Sequence, residues 1–175
     1  MKILEFLKDN TLILDGGMGT LLQARGLQPG ELPERWNLTH REEIVNIHRA
    51  YFDAGSNLVN ANTFGANSLK FSHDELEAII EAALRNAKVA ARESVSTKEK
   101  WVALDVGPTG KMLKPYGDLD FEVAVAIFGK VISLGEKYGA DLVFIETMND
   151  SYETKAALLA AKENCELPIF VSNAY

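Results

Sequence analysis

Apolar positions along this chain gather into short runs, each ending in a cluster of polar and glycine residues. Thr11–Leu14 runs into Asp15-Gly16-Gly17-Met18-Gly19-Thr20, and Leu58–Ala61 into Asn62-Thr63-Phe64-Gly65-Ala66-Asn67. Trp101–Leu104 runs into Asp105-Val106-Gly107-Pro108-Thr109-Gly110, Leu142–Ile145 into Glu146-Thr147-Met148-Asn149-Asp150, and a fifth run is Ile169–Ser172. Runs of this length bounded by turn residues predict buried strands. The segments between them have helical periodicity. Thr39-His40-Arg41-Glu42 has capping-box spacing, and Ile44, Ile47 and Tyr51 then share a face. Ser72-His73-Asp74-Glu75 repeats the device before a stripe of Ile79, Ala83, Asn86 and Ala90, and Asp150-Ser151-Tyr152-Glu153 is a looser start signal. Phe121–Tyr138 is helical by period, with Gly139 as its stop, and Gly55 closes the helix Glu42–Ala54 in the same way.

The predicted order is about five strands and four helices in alternation, an α/β chain with a parallel sheet and right-handed crossovers. All the polar clusters then fall on one face, at the strand C-termini, where such folds build their sites. Two architectures satisfy this order. One is an open, doubly wound five-stranded sheet; the other is the first part of a (β/α)₈ barrel, which takes about 250 residues to close.

Composition narrows the function classes. With 175 residues, 47% hydrophobic and 25% charged, the chain fits one folded unit, and no linker or repeat divides it. A net charge of −7 opposes nucleic acid and anionic membrane as partners. No signal peptide or membrane span is expected from the sequence. The lone cysteine, Cys165, cannot form an internal disulfide, so a reducing, cytoplasmic setting is expected.

The candidate chemistry lies in the loops. Asp15 is followed by Gly16, Gly17 and Gly19, which let main-chain N–H groups face a ligand. An aspartate at that mouth opposes a phosphate dianion, and the dinucleotide fingerprint fails because Leu22 stands where its third glycine belongs. A zwitterion suits the site better, with the amides on a carboxylate, Asp15 on an ammonium, and Glu146 as a second acid on the same face. Each feature also has a plainer reading. Asp-Gly-Gly is a turn signal, Glu146 can serve an ion pair or helix start, and Asn62-Thr63 and Asp105 can satisfy strand-end backbone. Their shared placement at strand C-termini is what favours a site. His40, His48 and His73 lie in helical segments, Cys165 reads as a small core residue, and no spacing predicts a metal site.

The four clusters, in this order and spacing, resemble the homocysteine S-methyltransferase family, most closely the homocysteine-binding N-terminal module of its cobalamin-dependent members. The resemblance runs from about Leu12 to the end of the chain. It implies the N-terminal part of a (β/α)₈ barrel domain over residues 1–175, incomplete at about five strands. It further implies methyl transfer to the homocysteine thiol, giving methionine, with zinc on three cysteines to hold the sulfur as the nucleophilic thiolate. By the matching motifs, Asp15 and Glu146 take the ammonium, Gly16 and Gly17 the carboxylate, Asn62 and Thr63 line the pocket, and Asp105 lies nearby. No residue of this chain matches a zinc or catalytic position, since the family's cysteines follow the sixth and eighth strands. The resemblance therefore implies homocysteine as ligand and no turnover by these residues alone, and the open edges of the first and fifth strands predict self-association. Possible partners are a C-terminal half-barrel and cobalamin or folate modules. The corrinoid, betaine and S-methylmethionine enzymes share this half, so the methyl donor stays open. Two alternatives also stay open: a non-catalytic or partner-completed amino-acid-binding module, and a flavodoxin-like phosphate or nucleotide binder.

Overall fold

The structure is a computed structural model that describes residues 2–174. Four strands, β1 (Leu58–Asn60), β2 (Trp101–Val106), β3 (Leu142–Met148) and β4 (Ile169–Asn173), form a parallel sheet in the order β1-β2-β3-β4. Leu58 pairs with Trp101, Ala103 with Leu142, and Val143 with Ile169. Four long helices alternate with them: α4 (Arg41–Ala54), α5 (His73–Glu93), α6 (Phe121–Lys137) and α7 (Ser151–Asn164). Three shorter helices precede these, α1 (Ile3–Phe6), α2 (Met18–Ala24) and α3 (Trp36–Thr39), and a 3₁₀ turn covers Pro33–Arg35.

The expected first strand, Thr11–Leu14, survives only as a bridge. Leu14 pairs in parallel with Leu58, and the Ile13 carbonyl accepts the N–H groups of Asn57 and Leu58 at 2.7 and 3.1 Å. The Asn57 side chain also accepts the Ile13 N–H at 3.2 Å, and the chain turns away at Asp15-Gly16 before a ladder extends. With that bridge on the far side of β1, spatial order follows chain order throughout. A doubly wound sheet reverses its order at a switch point, whereas a barrel does not. The flavodoxin-like alternative is excluded on topology. Among the described residues the sheet stays open, with β4 at one edge and Ile13–Leu14 at the other.

Helix starts and stops follow the sequence with one exception. Ser72 caps α5 by accepting the Glu75 N–H at 3.3 Å, and Asp150 caps α7 by accepting the Tyr152 N–H at 2.8 Å. Gly55 and Gly139 end α4 and α6 at φ of 109° and 80°, the left-handed region that glycine enters without strain. The box expected at Thr39 does not form. α3 runs through Thr39, whose hydroxyl donates to the Arg35 carbonyl at 3.2 Å, so His40 precedes α4 without a side-chain cap.

The strands sort their side chains by the two-residue period. Val102, Leu104, Val143 and Ile145 face the helices, among Ile79, Ile80, Leu84, Phe128 and Ile132. Helix α6 crosses β2 closely enough that a Cβ on Gly135 would stand 2.4 Å from a Leu104 methyl. The inner face carries Leu58, Trp101, Ala103, Leu142 and Phe144, and α1 closes its lower end through Ile3 and through Phe6, whose ring lies 5.0 Å from that of Trp101. Each inner file then turns polar at its C-terminal end. Leu58 leads to Asn60, Ala103 to Asp105, Phe144 to Glu146 and Phe170 to Ser172. That change sets the position of the site. Among the described residues, no helix is long and apolar enough to cross a membrane.

Candidate active site

A cavity of about 600 Å³ opens where the inner files turn polar. Asp15, Gly16, Gly17, Asn62, Asp105 and Glu146 all line it, although they come from the loop after Leu14, the loop after β1, and the C-terminal ends of β2 and β3. Asp15 is placed by β1, with its Oδ2 accepting the main-chain N–H of Asn60 at 3.0 Å. The same residue's side-chain amide donates to Glu146 Oε2 at 3.2 Å. Asn60 thus joins two acids that are far apart in the chain. Between Ile145 and Met148 the β3 ladder shifts register, and Thr147 adopts φ of 56°, so the strand is bulged beside the carboxylate.

The glycine loop is held from behind by α4. The Tyr51 hydroxyl donates to the Gly17 carbonyl at 3.1 Å, and a Cβ on Gly16 would lie 2.9 Å from that hydroxyl oxygen. Among the described residues, the N–H groups of Gly16 and Gly17 have no protein partner. They are available to a ligand at the cavity wall.

Electrostatically the cavity is acidic. Asp15, Glu34, Asp105 and Glu146 line it, and no Lys, Arg or His does. Burial pushes the Asp15 carboxyl up to about 7, an effect opposed by the Asn60 N–H and reinforced by Glu146. Burial also raises Glu146 above its ordinary range. Such a site attracts a cationic group and repels phosphate.

Thr63 does not line the cavity. It is fully buried, and its hydroxyl donates to the Asp105 carbonyl at 2.8 Å while accepting the Asp105 N–H at 3.1 Å. A strand-end hydroxyl beside a neighbouring strand finds backbone before it finds ligand. Asn62 lines the cavity with its side-chain amide already donating to the Pro33 carbonyl at 2.8 Å. Thr109, in the loop after β2, is fastened by the buried Glu153, which accepts its N–H at 2.8 Å.

Asn60, Glu34 and Phe64 also line the cavity and are not among the expected site residues. Asn60 was legible as the polar break two residues after Leu58 in an otherwise apolar file. Glu34 had no such signal: it lies in the 3₁₀ turn, 4% exposed, with Oε1 accepting the Gly65 N–H at 2.7 Å. Phe64 packs over Gly107, where a Cβ would meet its ring at 2.5 Å, and remains 41% exposed at the mouth. His48 is fully buried in α4, outside the cavity, and burial lowers it to about 4. Cys165 lies before β4, at the end of the strand away from the cavity, its thiol 3.3 Å from the Ala161 carbonyl and pushed up by burial.

The three-cysteine zinc site implied by the resemblance does not fit these residues. Among the described residues, no three of His, Cys, Asp and Glu are grouped to hold a metal, and the sole thiol is at the wrong end of the sheet.

Comparison with known proteins agrees with this arrangement. The homocysteine S-methyltransferase family model matches residues 12–175. The methionine synthase of Mycobacterium leprae is 30% identical in an alignment 187 positions long that covers 97% of this chain and 15% of that protein. The Mycobacterium tuberculosis methionine synthase is 29% identical, covering 91% of this chain and 14% of its own length. The chain therefore spans about a seventh of these relatives. The oxidised form of the homocysteine methyltransferase MmuM from Escherichia coli superimposes with a TM-score of 0.82 at 22% identity, over 95% of this chain and 63% of that one. Its metallated form gives 0.82 at 21% identity, over 96% and 65%. The fold is that of a barrel methyltransferase, matched in part. The chain belongs to the homocysteine S-methyltransferase family.

Proposed function

We propose that the cavity binds homocysteine as a zwitterion. The observation that carries this reading is the Asp15–Asn60–Glu146 relay, two acids held by one residue at 3.0 and 3.2 Å beside unpartnered glycine amides. The ammonium sits between Asp15 and Glu146, and the carboxylate takes the N–H groups of Gly16 and Gly17. Asn62 shapes the wall, and Asp105 stands beneath. Thr63 acts through Asp105, which it holds in place.

In a complete protein the homocysteine sulfur gives up its proton and takes a methyl group, forming methionine. These residues orient the amino acid and do not activate its sulfur. Residues 1–175 form the N-terminal part of the barrel domain, and the remaining strands come from further sequence or a separate polypeptide. The open edges at β4 and Ile13–Leu14 favour such completion, or self-association in its absence. Zinc and the methyl donor, a corrinoid among the candidates, belong to the completed assembly.

A non-catalytic amino-acid-binding module is the competing reading, favoured by the lack of a grouped metal-ligand set among the described residues. A methionine-formation assay tests the division of labour. The purified chain with zinc and a methyl donor gives no turnover, and adding the missing half-barrel restores it. Turnover by the chain alone refutes the proposal. Homocysteine binding with no turnover in any completed assembly supports the binding module.

A further inference from the structure

Asp105 is fixed through its backbone, yet its carboxyl is the least served among the acids of the cavity. One hydroxyl, that of Thr63, bonds both its N–H and its carbonyl, at 3.1 and 2.8 Å. The inner-face register of β2 then directs the side chain to the cavity floor above Ala103. There it is 6% exposed, and Oδ1 has no hydrogen-bond partner among the described residues. The groups around it are Asp15 from the first loop, Glu34 from the 3₁₀ turn and Glu146 from β3, with the neutral Asn60 of β1 bonded to Glu146. No cationic side chain lines the cavity, and no ion pair of the described residues includes Asp105. A charge at this point would be desolvated among three other acids with no counter-ion.

We propose that Asp105 works as a neutral carboxylic acid, donating its O–H to an oxygen of the ligand's α-carboxylate. This deepens the amino-acid reading above and rests on it for the identity of the acceptor. The carboxyl is pushed well above the ordinary carboxylate range, first by burial, then by Glu146, Asp15 and Glu34. The other acids of the cavity offer acceptors, which suit an ammonium and repel a carboxylate. A neutral acid among them adds a donor to those of Gly16 and Gly17. It lets the site take both ends of a zwitterion, and selects α-amino acids over simple amines. Asp105 is thus a specificity-determining residue with no proton to transfer in the reaction.

Two measurements test this on the full chain. Infrared difference spectra at pH 7 show a protonated-carboxyl C=O band that shifts in D₂O, disappears in Asp105→Asn and persists in Asp15→Asn. Absence of a band assignable to Asp105 overturns the proposal whether or not homocysteine binds. In calorimetry, Asp105→Leu weakens homocysteine binding at least tenfold, and Asp105→Asn, which restores a neutral donor of similar size, recovers most of that loss. An equal loss in both variants shows that a charged Asp105 is required, and overturns the proposal. If the band is present and homocysteine does not bind native chain, the amino-acid reading fails, and with it the assigned acceptor.

Discussion

Asn60 holds Asp15 with its main chain and Glu146 with its side chain, so the two acids have different claims on one residue. Asn60→Ala removes only the second bond. It is predicted to weaken homocysteine binding about three- to tenfold, the size of one hydrogen bond of ~1 kcal/mol. Circular dichroism should show an unchanged fold, because the Asp15 contact uses backbone. A loss of folding in Asn60→Ala would show that the side chain is structural.

Binding should depend on pH through Asp15. Its carboxyl titrates at about 7 in the free cavity, and an ammonium ligand binds the ionised form. Below that value the site must release a proton to bind, so affinity falls by up to tenfold per pH unit as pH drops, and levels off above it. Calorimetry from pH 5.5 to 8, in buffers of different ionisation enthalpy, should show about one proton released at the acidic end. A flat profile contradicts the ammonium assignment.

The same group acts on stability with the opposite preference. A carboxyl whose folded value is raised from 3.8 to about 7 favours the fold when protonated. Its contribution is full below 3.8 and is lost as pH rises through 7. Asp15→Asn should therefore stabilise the ligand-free chain at pH 8 by about 1–2 kcal/mol, seen as a rise of several degrees in Tm, while abolishing binding. A lower Tm in this variant at pH 8 would refute the sign.

Gly107→Ala tests the mouth of the cavity. A Cβ there would stand 2.5 Å from the Phe64 ring, which is tied down by the Gly107 N–H donating to the Phe64 carbonyl at 3.0 Å. The ring must move, at a cost of about 1–3 kcal/mol typical of overpacking. Urea denaturation should show that loss, and Phe64→Ala combined with Gly107→Ala should recover part of it.

Open edges predict association. In sedimentation velocity the purified chain should run above its 19.3 kDa monomer mass, through β4 and Ile13–Leu14. Val171→Lys, on the edge strand at a position 43% exposed, should shift the distribution toward monomer. A monodisperse native monomer would remove the argument for completion from the edges.

The alternation of strands and helices was legible because α4–α7 carry strong periods and clear caps, as at Ser72, Asp150, Gly55 and Gly139. The shorter elements were not. α2 begins at glycines that read as a turn, and Thr11–Leu14 reads as a full strand although the chain turns away at Asp15-Gly16 after a single bridge. Of the expected site residues, Asp15, Gly16, Gly17, Asn62, Asp105 and Glu146 converge on one cavity because they stand at or just beyond the C-terminal ends of neighbouring parallel segments. Thr63 does not join them because its hydroxyl meets the β2 backbone first. Glu34 was hidden because only tertiary packing, through Gly65, brings its 3₁₀ turn to the wall.

The most direct test of the central claim is calorimetry of homocysteine with the purified chain, with and without zinc, beside Asp15→Ala. The account predicts binding that ignores zinc and weakens at least tenfold in Asp15→Ala. Binding that needs zinc, or that is indifferent to Asp15, would contradict it.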